Sequence, residues 1–418
     1  MRAMLTTLGV ILMASTSLAE LPAPAELPSV KTFPDPLVSF HGSKVATREQ
    51  WESRRKPELK ALFEHYMYGR YPAAPEKVTS KVLFEDSEVC GGKATLREVE
   101  LTLGPAGWPR IYLLIAAPQG GPSPCFVGAN FGGNHLLTGH TSVRLSEAWM
   151  PERYPGVVDN RATKAGRGAQ VDTWPLEEIV RRGYAVATFY CGDVQPDRPD
   201  EAEGLRAVLA SSEGAGDPSH TATIMSWAWG VHRAVDYLAT DRRIDPQRIA
   251  VVGHSRLGKT ALLAGAFDDR IALTIANQAG CGGSGPSRHD DVKAEGVARI
   301  TKAFPHWFCA NFTAFGADTS RLPFDQHALV ALCAPRPVLF TAAADDLWAN
   351  PWGQFEVLRA ATPVYKLLGA EGLEAEAMPS PDEPLIDSRL GYWIRSGEHA
   401  MTPTDWKVYM NFADRWLK

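Results

Sequence analysis

The sequence predicts an α/β fold in which a mostly parallel sheet lies between two layers of helices. Short apolar runs bounded by Gly and Pro alternate along the chain with helix-like segments. One such run, residues 248–253, leads directly into a Gly-containing turn and then a helix rich in small residues. Two long stretches rich in Gly, Pro and polar residues, 132–174 and 280–324, interrupt the alternation. Stretches of this length usually carry function, so we expect them near a binding site.

The composition is that of a globular protein and favours no charged partner. The chain has 418 residues, of which 45% are hydrophobic and 22% charged, and 43 Lys and Arg stand against 48 Asp and Glu. The net charge of −5 gives no electrostatic reason to expect nucleic acid or an anionic membrane as a partner. We expect a single domain over residues 41–418 that acts as a monomer.

The N-terminal residues predict export. Arg2 precedes a short apolar run, and small residues suit cleavage after Ala19, so residues 1–19 have the form of a signal peptide. Residues 20–40 are Pro-rich and indicate an extended lead-in, and no later segment has the roughly 18 apolar residues of a membrane span. The six cysteines form no Cys-x-x-Cys pair, which disfavours structural zinc. Export would permit disulfides, whose pairing the sequence does not select, and the alternative is that several cysteines are free buried thiols. We therefore expect a secreted or periplasmic protein.

The predicted elements follow in order along the chain. A polar helix over 48–68 ends at the break that begins at Gly69. Short apolar runs predict strands over 96–103, 110–116, 124–129, 183–190, 248–253, 271–277 and 337–344. Helices are predicted over 176–182, 224–238, 258–267, 353–361 and 403–417. Thr402 and Pro403 supply an N-cap and a first helical residue for the last of them.

The segment from residue 248 to 267 carries the strongest chemical signal. A sharp strand-to-helix turn lifts a Ser hydroxyl to the carboxyl edge of a sheet and points the first helix N–H groups at the same place. Ser255 lies at such a turn, after Gly253 and His254. The usual second Gly comes one residue late, at Gly258, with Leu257 in its place. We predict that Ser255 is a nucleophile, the alternative being a simple helix N-cap.

The residues around this Ser resemble those of a known family. Residues 253–259 read Gly-His-Ser-Arg-Leu-Gly-Lys, which matches the Gly-x-Ser-Arg-x-Gly-Lys/Arg motif of the glucuronoyl esterases, carbohydrate esterase family 15. The resemblance extends from about residue 113 to 406 through 266–273, 280–283, 305–309, 334–337 and 395–399. It implies an α/β-hydrolase fold, no cofactor or metal, and hydrolysis of esters that join 4-O-methyl-glucuronate on glucuronoxylan to lignin alcohols. The residues by themselves indicate only a serine ester hydrolase.

Four histidines follow the predicted nucleophile, and the chain order Ser, acid, His selects the last one. His399, in a short loop before the final helix, is the predicted general base, whereas His327 is predicted to be structural. The acid is Asp345 or Asp346, which follow a strand, and the resemblance favours Asp346. Many family members use a Glu in an Asn-Glu-Ser-Gly motif instead, but here Gln278 takes that place and cannot carry the charge.

The resemblance also implies residues that stabilise charge and bind the sugar acid. Arg256 is expected to stabilise the oxyanion, because a cation near developing negative charge favours the transition state. Residues 130–135 form either an oxyanion loop or a simple turn. Lys259 and Trp307 are expected to contact the glucuronate, and Gln278 and Glu295 are candidate sugar ligands. Trp348 and Trp352 flank the acid and are candidates for the alcohol side.

Two competing functions stay open at this point. Another carbohydrate esterase, such as an acetylxylan esterase, would prefer simple acetates and would not depend on Lys259. A non-catalytic carbohydrate-binding protein on a hydrolase scaffold would explain the loss of an acid at Gln278, but the retained Ser255 and His399 disfavour it.

Overall fold

A large mixed sheet organises the chain. The computed structural model describes residues 21–200, 202–210 and 217–418, so the predicted signal peptide lies outside the described residues. Within this part of the chain, nine strands form one sheet in the order β1-β2-β3-β5-β4-β6-β7-β8-β9. The strands are Thr79–Asp86 (β1), Ala94–Thr102 (β2), Arg110–Pro118 (β3), Ser123–Asn130 (β4), Ala185–Tyr190 (β5), Ile244–His254 (β6), Ile271–Asn277 (β7), Val338–Ala343 (β8) and Leu390–Arg395 (β9).

The direction of the strands divides the sheet into two parts. Strands β1, β2, β3 and β5 pair antiparallel at one side. From β5 through β4, β6, β7 and β8 to β9, every neighbouring pair is parallel. The carboxyl ends of these six strands therefore meet at one edge, where α/β folds place their sites. The predicted, mostly parallel α/β sheet is confirmed.

Helices cover both faces of the sheet, and each helix predicted from the sequence is present. The N-terminal helical segment combines Arg48–Gln50, Trp51–Arg55, Lys56–Phe63 (α1) and Glu64–Tyr68, with π-helical turns in the second and fourth parts. The other helices of six residues or more are Leu176–Arg181 (α2), Gly204–Leu209 (α3), Thr223–Leu238 (α4), Ser255–Phe267 (α5), Val297–Ala303 (α6), Gln326–Cys333 (α7), Pro351–Leu367 (α8) and Pro403–Leu417 (α9). Helix α9 begins with the predicted Thr402 cap, completed by Asp405.

Several elements differ from the prediction, among them helices α3 and α6, which were not predicted. Strand β1 was not predicted because most of its side chains are exposed, so it lacks an apolar face. Strand β9, buried along its whole length, was also not predicted. Helix α8 continues beyond the predicted end at residue 361 and passes through Pro363 to Leu367. The predicted lead-in is not a free extension, because Leu27 is buried in the core and Pro34 accepts a hydrogen bond from the structural His327.

The core lies on both sides of the sheet and includes most of the cysteines. All six are described and are free thiols, and all except Cys90 are buried, in agreement with the predicted role as small apolar side chains. No helix in the described ranges is both long and apolar enough to span a bilayer.

Candidate active site

The turn that carries Ser255 joins β6 to α5 at the carboxyl edge of the sheet. Ser255 has a φ of +56°, a left-handed conformation that a non-Gly residue adopts only where the surroundings enforce it. A Cβ at Gly253 would lie 2.0 Å from the Leu257 carbonyl oxygen, and one at Gly258 would lie 2.9 Å from the Asn277 carbonyl oxygen. The second Gly is thus at 258 because that is where α5 crosses the end of β7.

The structure separates the two candidate acids. The Asp346 Oδ2 atom lies 2.6 Å from Nδ1 of His399, and the Asp346 side chain is buried. Asp345 is exposed, and only its backbone N–H contacts the same loop, donating to the Gly397 carbonyl. Because a carboxylate only accepts hydrogen bonds, Nδ1 of His399 carries the proton and its Nε2 is left as an acceptor. This geometry favours Asp346 over Asp345 as the acid.

His254 connects the imidazole of His399 to the Ser255 turn. The His254 and His399 rings lie 4.5 Å apart between centroids, so His399 packs against the residue next to Ser255. Burial, reinforced by the neighbouring His399, lowers the pKa of His254 to about 3, so its ring is neutral near pH 7 and Nδ1 donates to Asn277 Oδ1 at 3.0 Å. Among the described residues, no hydrogen bond joins Ser255 Oγ to His399. Such bonds are often long without substrate.

Gln278 holds the loop that carries His399. Its Nε2 donates to the Ala400 carbonyl at 3.0 Å, and its Oε1 accepts from the Ala400 N–H at 3.0 Å. The side chain is 1% exposed. With both ends of the amide bonded to one backbone residue, Gln278 is not placed to bind sugar, and we reinterpret it as a residue that fixes the base loop.

The guanidinium of Arg256 lies in a cage of four groups. Its Nε is 2.7 Å from Asp197 Oδ2, and its Nη2 donates to the Tyr154 hydroxyl at 3.1 Å. Its Cζ lies 4.4 Å from the centre of the Phe131 ring and 5.8 Å from that of Trp307. Residues 130–135 therefore contribute a side chain to this cage. Within that segment the Gly133 N–H donates to Asn130 Oδ1, which makes it a tight turn.

Two of the predicted sugar ligands meet in the structure. The ammonium of Lys259 contacts Glu295 Oε2 at 3.1 Å and donates to the Ala279 carbonyl at 2.6 Å. The other carboxylate oxygen of Glu295 accepts from Trp348 Nε1 at 2.8 Å. Lys259 and Glu295 are buried, whereas Trp348 is 40% exposed. This Lys259–Glu295–Trp348 cluster adjoins the acid, since Trp348 is two residues after Asp346.

Trp307 occupies a different place from the one predicted. It is 4% exposed, stacks on Phe304 at 3.8 Å between ring centres, and donates its Nε1 hydrogen to Asp197 at 2.7 Å. Its only polar hydrogen is therefore already used, and the predicted donation to a sugar hydroxyl does not fit this arrangement. Its ring still lies beside both Arg256 and Lys259, at 5.8 and 6.0 Å.

Sequence reasoning missed Asp197 and did not link Trp348 to Glu295. Asp197 lies in a polar, Pro-rich stretch after β5, and nothing in the spacing links it to a residue about 60 positions later. Its position at the carboxyl end of a parallel strand was the one available signal.

Comparison with known proteins places the chain among esterases that act on carbohydrates. A family model described as "Glucuronyl esterase, fungi" matches residues 206–369. Carbohydrate esterase MZ0003, from an unknown prokaryotic organism, is 41% identical over 391 residues, which cover 92% of this chain and 89% of that protein. The 4-O-methyl-glucuronoyl methylesterase of Schizophyllum commune is 28% identical over 365 residues, or 85% and 78% of the two chains.

Solved structures give the same result. A promiscuous esterase of carbohydrate esterase family 15 from a marine bacterial metagenome superposes with a TM-score of 0.87 at 40% identity, covering 94% of this chain and 98% of that one. The glucuronoyl esterase from Solibacter usitatus superposes with a TM-score of 0.85 at 34% identity, covering 94% and 100%.

The sheet, its flanking helices and these relatives define the class of the protein, which is a carboxylic ester hydrolase with the α/β-hydrolase fold. Within that class, the chain belongs to the glucuronoyl esterases of carbohydrate esterase family 15.

Proposed function

We propose that the protein is a secreted serine esterase that hydrolyses 4-O-methyl-glucuronoyl esters linking glucuronoxylan to lignin alcohols. The observation that carries the proposal is the 2.6 Å contact between His399 Nδ1 and the buried Asp346. The ring of His399 also packs against that of His254, the residue before Ser255. This arrangement supplies a base of defined tautomer beside a hydroxyl held in a strained turn.

The reaction proceeds in two steps through an acyl-enzyme. Nε2 of His399 takes the proton of Ser255 as Oγ attacks the ester carbonyl, and Asp346 stabilises the imidazolium that forms. The tetrahedral oxyanion is stabilised by the first N–H groups of α5, which have no intrahelical acceptor, and by Arg256. The imidazolium then protonates the leaving alcohol. Water, deprotonated by the same His399, attacks the acyl-enzyme and releases the glucuronic acid.

The Lys259–Glu295–Trp348 cluster is the proposed sugar side of the site. Glu295 is held between the ammonium and the indole, so its carboxylate and the half-exposed Trp348 ring form a fixed surface next to Asp346. A carboxylate accepts from sugar hydroxyls and an aromatic ring packs against a sugar face, which suits a hydroxyl-rich acyl group.

Hydrolysis of the benzyl ester of glucuronic acid tests the proposal. We expect the purified protein to release benzyl alcohol, and Ser255→Ala to lower kcat by roughly 10⁴-fold or more because no nucleophile remains. Ser53→Ala, at an exposed position, is the matched control and should behave as wild type. Near-wild-type turnover by Ser255→Ala would remove the nucleophile, and a preference for simple acetates over glucuronate esters would replace the substrate class.

A further inference from the structure

Asp197 is a buried carboxylate beside the Ser255 turn. It follows β5 and the short helix Cys191–Val194, and its side chain is 9% exposed. Oδ1 accepts from His306 Nε2 at 3.0 Å and from Trp307 Nε1 at 2.7 Å. Oδ2 lies 2.7 Å from Nε of Arg256. The carboxylate is thus fixed by two donors on one oxygen while the other faces the residue that follows the nucleophile.

The contacts keep this buried carboxylate charged. Burial by itself raises the pKa of Asp197, but the His306 hydrogen bond and the Arg256 charge outweigh it, so the pKa lies below its usual value. Arg256, whose side chain is 13% exposed, gains in return a fixed counter-ion. A buried charge that is paired and hydrogen-bonded in this way holds its partner in one geometry.

The contacts of Arg256 involve Nε, Nη2 and a face of its guanidinium, but not Nη1. Asp197 occupies the Nε side and Tyr154 takes Nη2, while Phe131 covers a face. Among the described residues, no protein group accepts a hydrogen bond from Nη1, and the 2.7 Å contact of Nε with Asp197 is an ion pair that lacks hydrogen-bond alignment. A planar guanidinium anchored on one side presents its other donors in a fixed direction, which an unanchored Arg side chain with four rotatable bonds does not.

We propose that Asp197 is a positioning residue that orients Arg256 for stabilisation of the oxyanion. Preorganised donors lower the barrier because they do not have to reorient when charge develops, and displacement of such a group by about 1 Å costs on the order of 10²-fold in rate. The inference rests on the proposed role of Arg256. It does not depend on the sugar, because every ester forms the same oxyanion.

Two variants of Asp197 separate orientation from charge balance. Asp197→Asn removes the charge, and Asp197→Glu keeps the charge but moves the carboxylate by one methylene. We expect both to lower kcat about 10- to 100-fold, with KM changed less than about threefold, for 4-nitrophenyl acetate as well as for benzyl glucuronate. Asp200→Asn, an exposed neighbour in the same segment, is the control and should keep the wild-type kcat.

A double-mutant cycle with Arg256→Ala tests whether Asp197 acts through Arg256. If Asp197 acts through Arg256, neither Asp197 substitution lowers kcat further once Arg256 is Ala. Equal losses in both backgrounds, or a wild-type kcat for Asp197→Glu, would overturn the inference. Asp197→Glu keeps the buried ion pair and serves if Asp197→Asn fails to fold. The acetate readout tests Asp197 even if the protein does not hydrolyse glucuronate esters, so the two proposals fail separately.

Discussion

Asp345 and Asp346 are chemically identical neighbours that the structure uses in different ways. The chain turns after β8 so that Asp345 faces solvent while Asp346 turns inward to His399. The second oxygen of Asp346 accepts from the Ala349 N–H, which fixes the carboxylate from its other side. One side chain therefore both caps a turn and orients the imidazole of His399.

Replacing each Asp by Asn tests this division. Asp346→Asn keeps the shape but removes the acceptor that sets the His399 tautomer, and we expect kcat to fall by roughly 10³- to 10⁴-fold. Asp345→Asn should keep at least about half of the wild-type kcat because its side chain is exposed. Steady-state hydrolysis of benzyl glucuronate measures both, and the reverse order of effects would exchange their roles.

For single residues, the sequence predicts candidate site residues that belong to a motif. It does not predict contacts between residues that only the fold brings together. Ser255 and His399 could be proposed because the turn motif and the chain order constrain them, and Arg256 could be proposed through the family resemblance. The hydrogen-bond partners of Trp307 and Trp348 could not be predicted, since an indole gives the same sequence signal whichever carboxylate it donates to. Only the packing shows that Asp197 holds one and Glu295 the other.

The strand–turn–helix element that carries Ser255 is tightly packed at Gly253 and Gly258, where an added Cβ would clash with backbone atoms. Gly258 sits where α5 crosses β7, and an added Cβ would also lie 3.0 Å from the Ala279 Cβ. Helix propensity alone would favour Ala at this position by about 1 kcal/mol. The close crossing therefore outweighs the local preference.

Gly258→Ala should lower the free energy of unfolding by about 1–3 kcal/mol, the usual cost of overpacking a dense interior. The matched control is Gly139→Ala, where an added Cβ meets nothing within 4 Å. Urea unfolding followed by fluorescence of the tryptophans measures both. A stabilised Gly258→Ala variant would show that helix propensity dominates and that the crossing can widen.

Most strands with an apolar face were predicted, with the buried β9 as an exception, whereas the exposed β1 was not. Strands β3 to β8 are short buried runs with clear boundaries, and their predicted bounds lie within a few residues of the observed ones, β6 starting four residues earlier. Strand β1 is held at the edge by pairing to β2 rather than by burial, so its sequence carries little signal. Pro363 within α8 illustrates the opposite case, in which tertiary packing overrides a local helix breaker.

For the whole molecule, the sheet order explains how residues 144 positions apart come together. Strands β6, β7, β8 and β9 are parallel neighbours, and Ser255, Gln278, Asp346 and His399 follow their carboxyl ends in the same order. The alternation of strands and helices predicts this edge in general. It does not give the geometry of the long insertions, where Tyr154 and Glu295 come from, because those segments have no periodic pattern.

The stability of the whole fold should depend on pH through buried His232. Its Nε2 donates to the Ala264 carbonyl at 2.9 Å, and burial lowers the pKa of His232 to about 4. Below about pH 6.5 the unfolded chain therefore binds a proton that the folded protein does not, so the free energy of unfolding falls by up to about 1.4 kcal/mol per pH unit down to pH 4.

His232→Gln removes this linkage. We expect the difference in unfolding free energy between wild type and His232→Gln, measured in urea, to shrink as the pH falls from 7.5 to 4.5. His41→Gln, at an exposed position, is the control and should leave the pH profile unchanged. A difference that stays constant over this range would show that His232 is not responsible.

The amide of Gln278 has a consequence for how such sites can change. Like a peptide group, this amide has one donor and one acceptor side. It donates to the Ala400 carbonyl and accepts from the Ala400 N–H. A Glu at this position would place an oxygen without a hydrogen opposite the Ala400 carbonyl, and the two acceptors would repel. A Glu at position 278 could therefore take over the proposed role of Asp346 only if the loop that carries His399 were rebuilt.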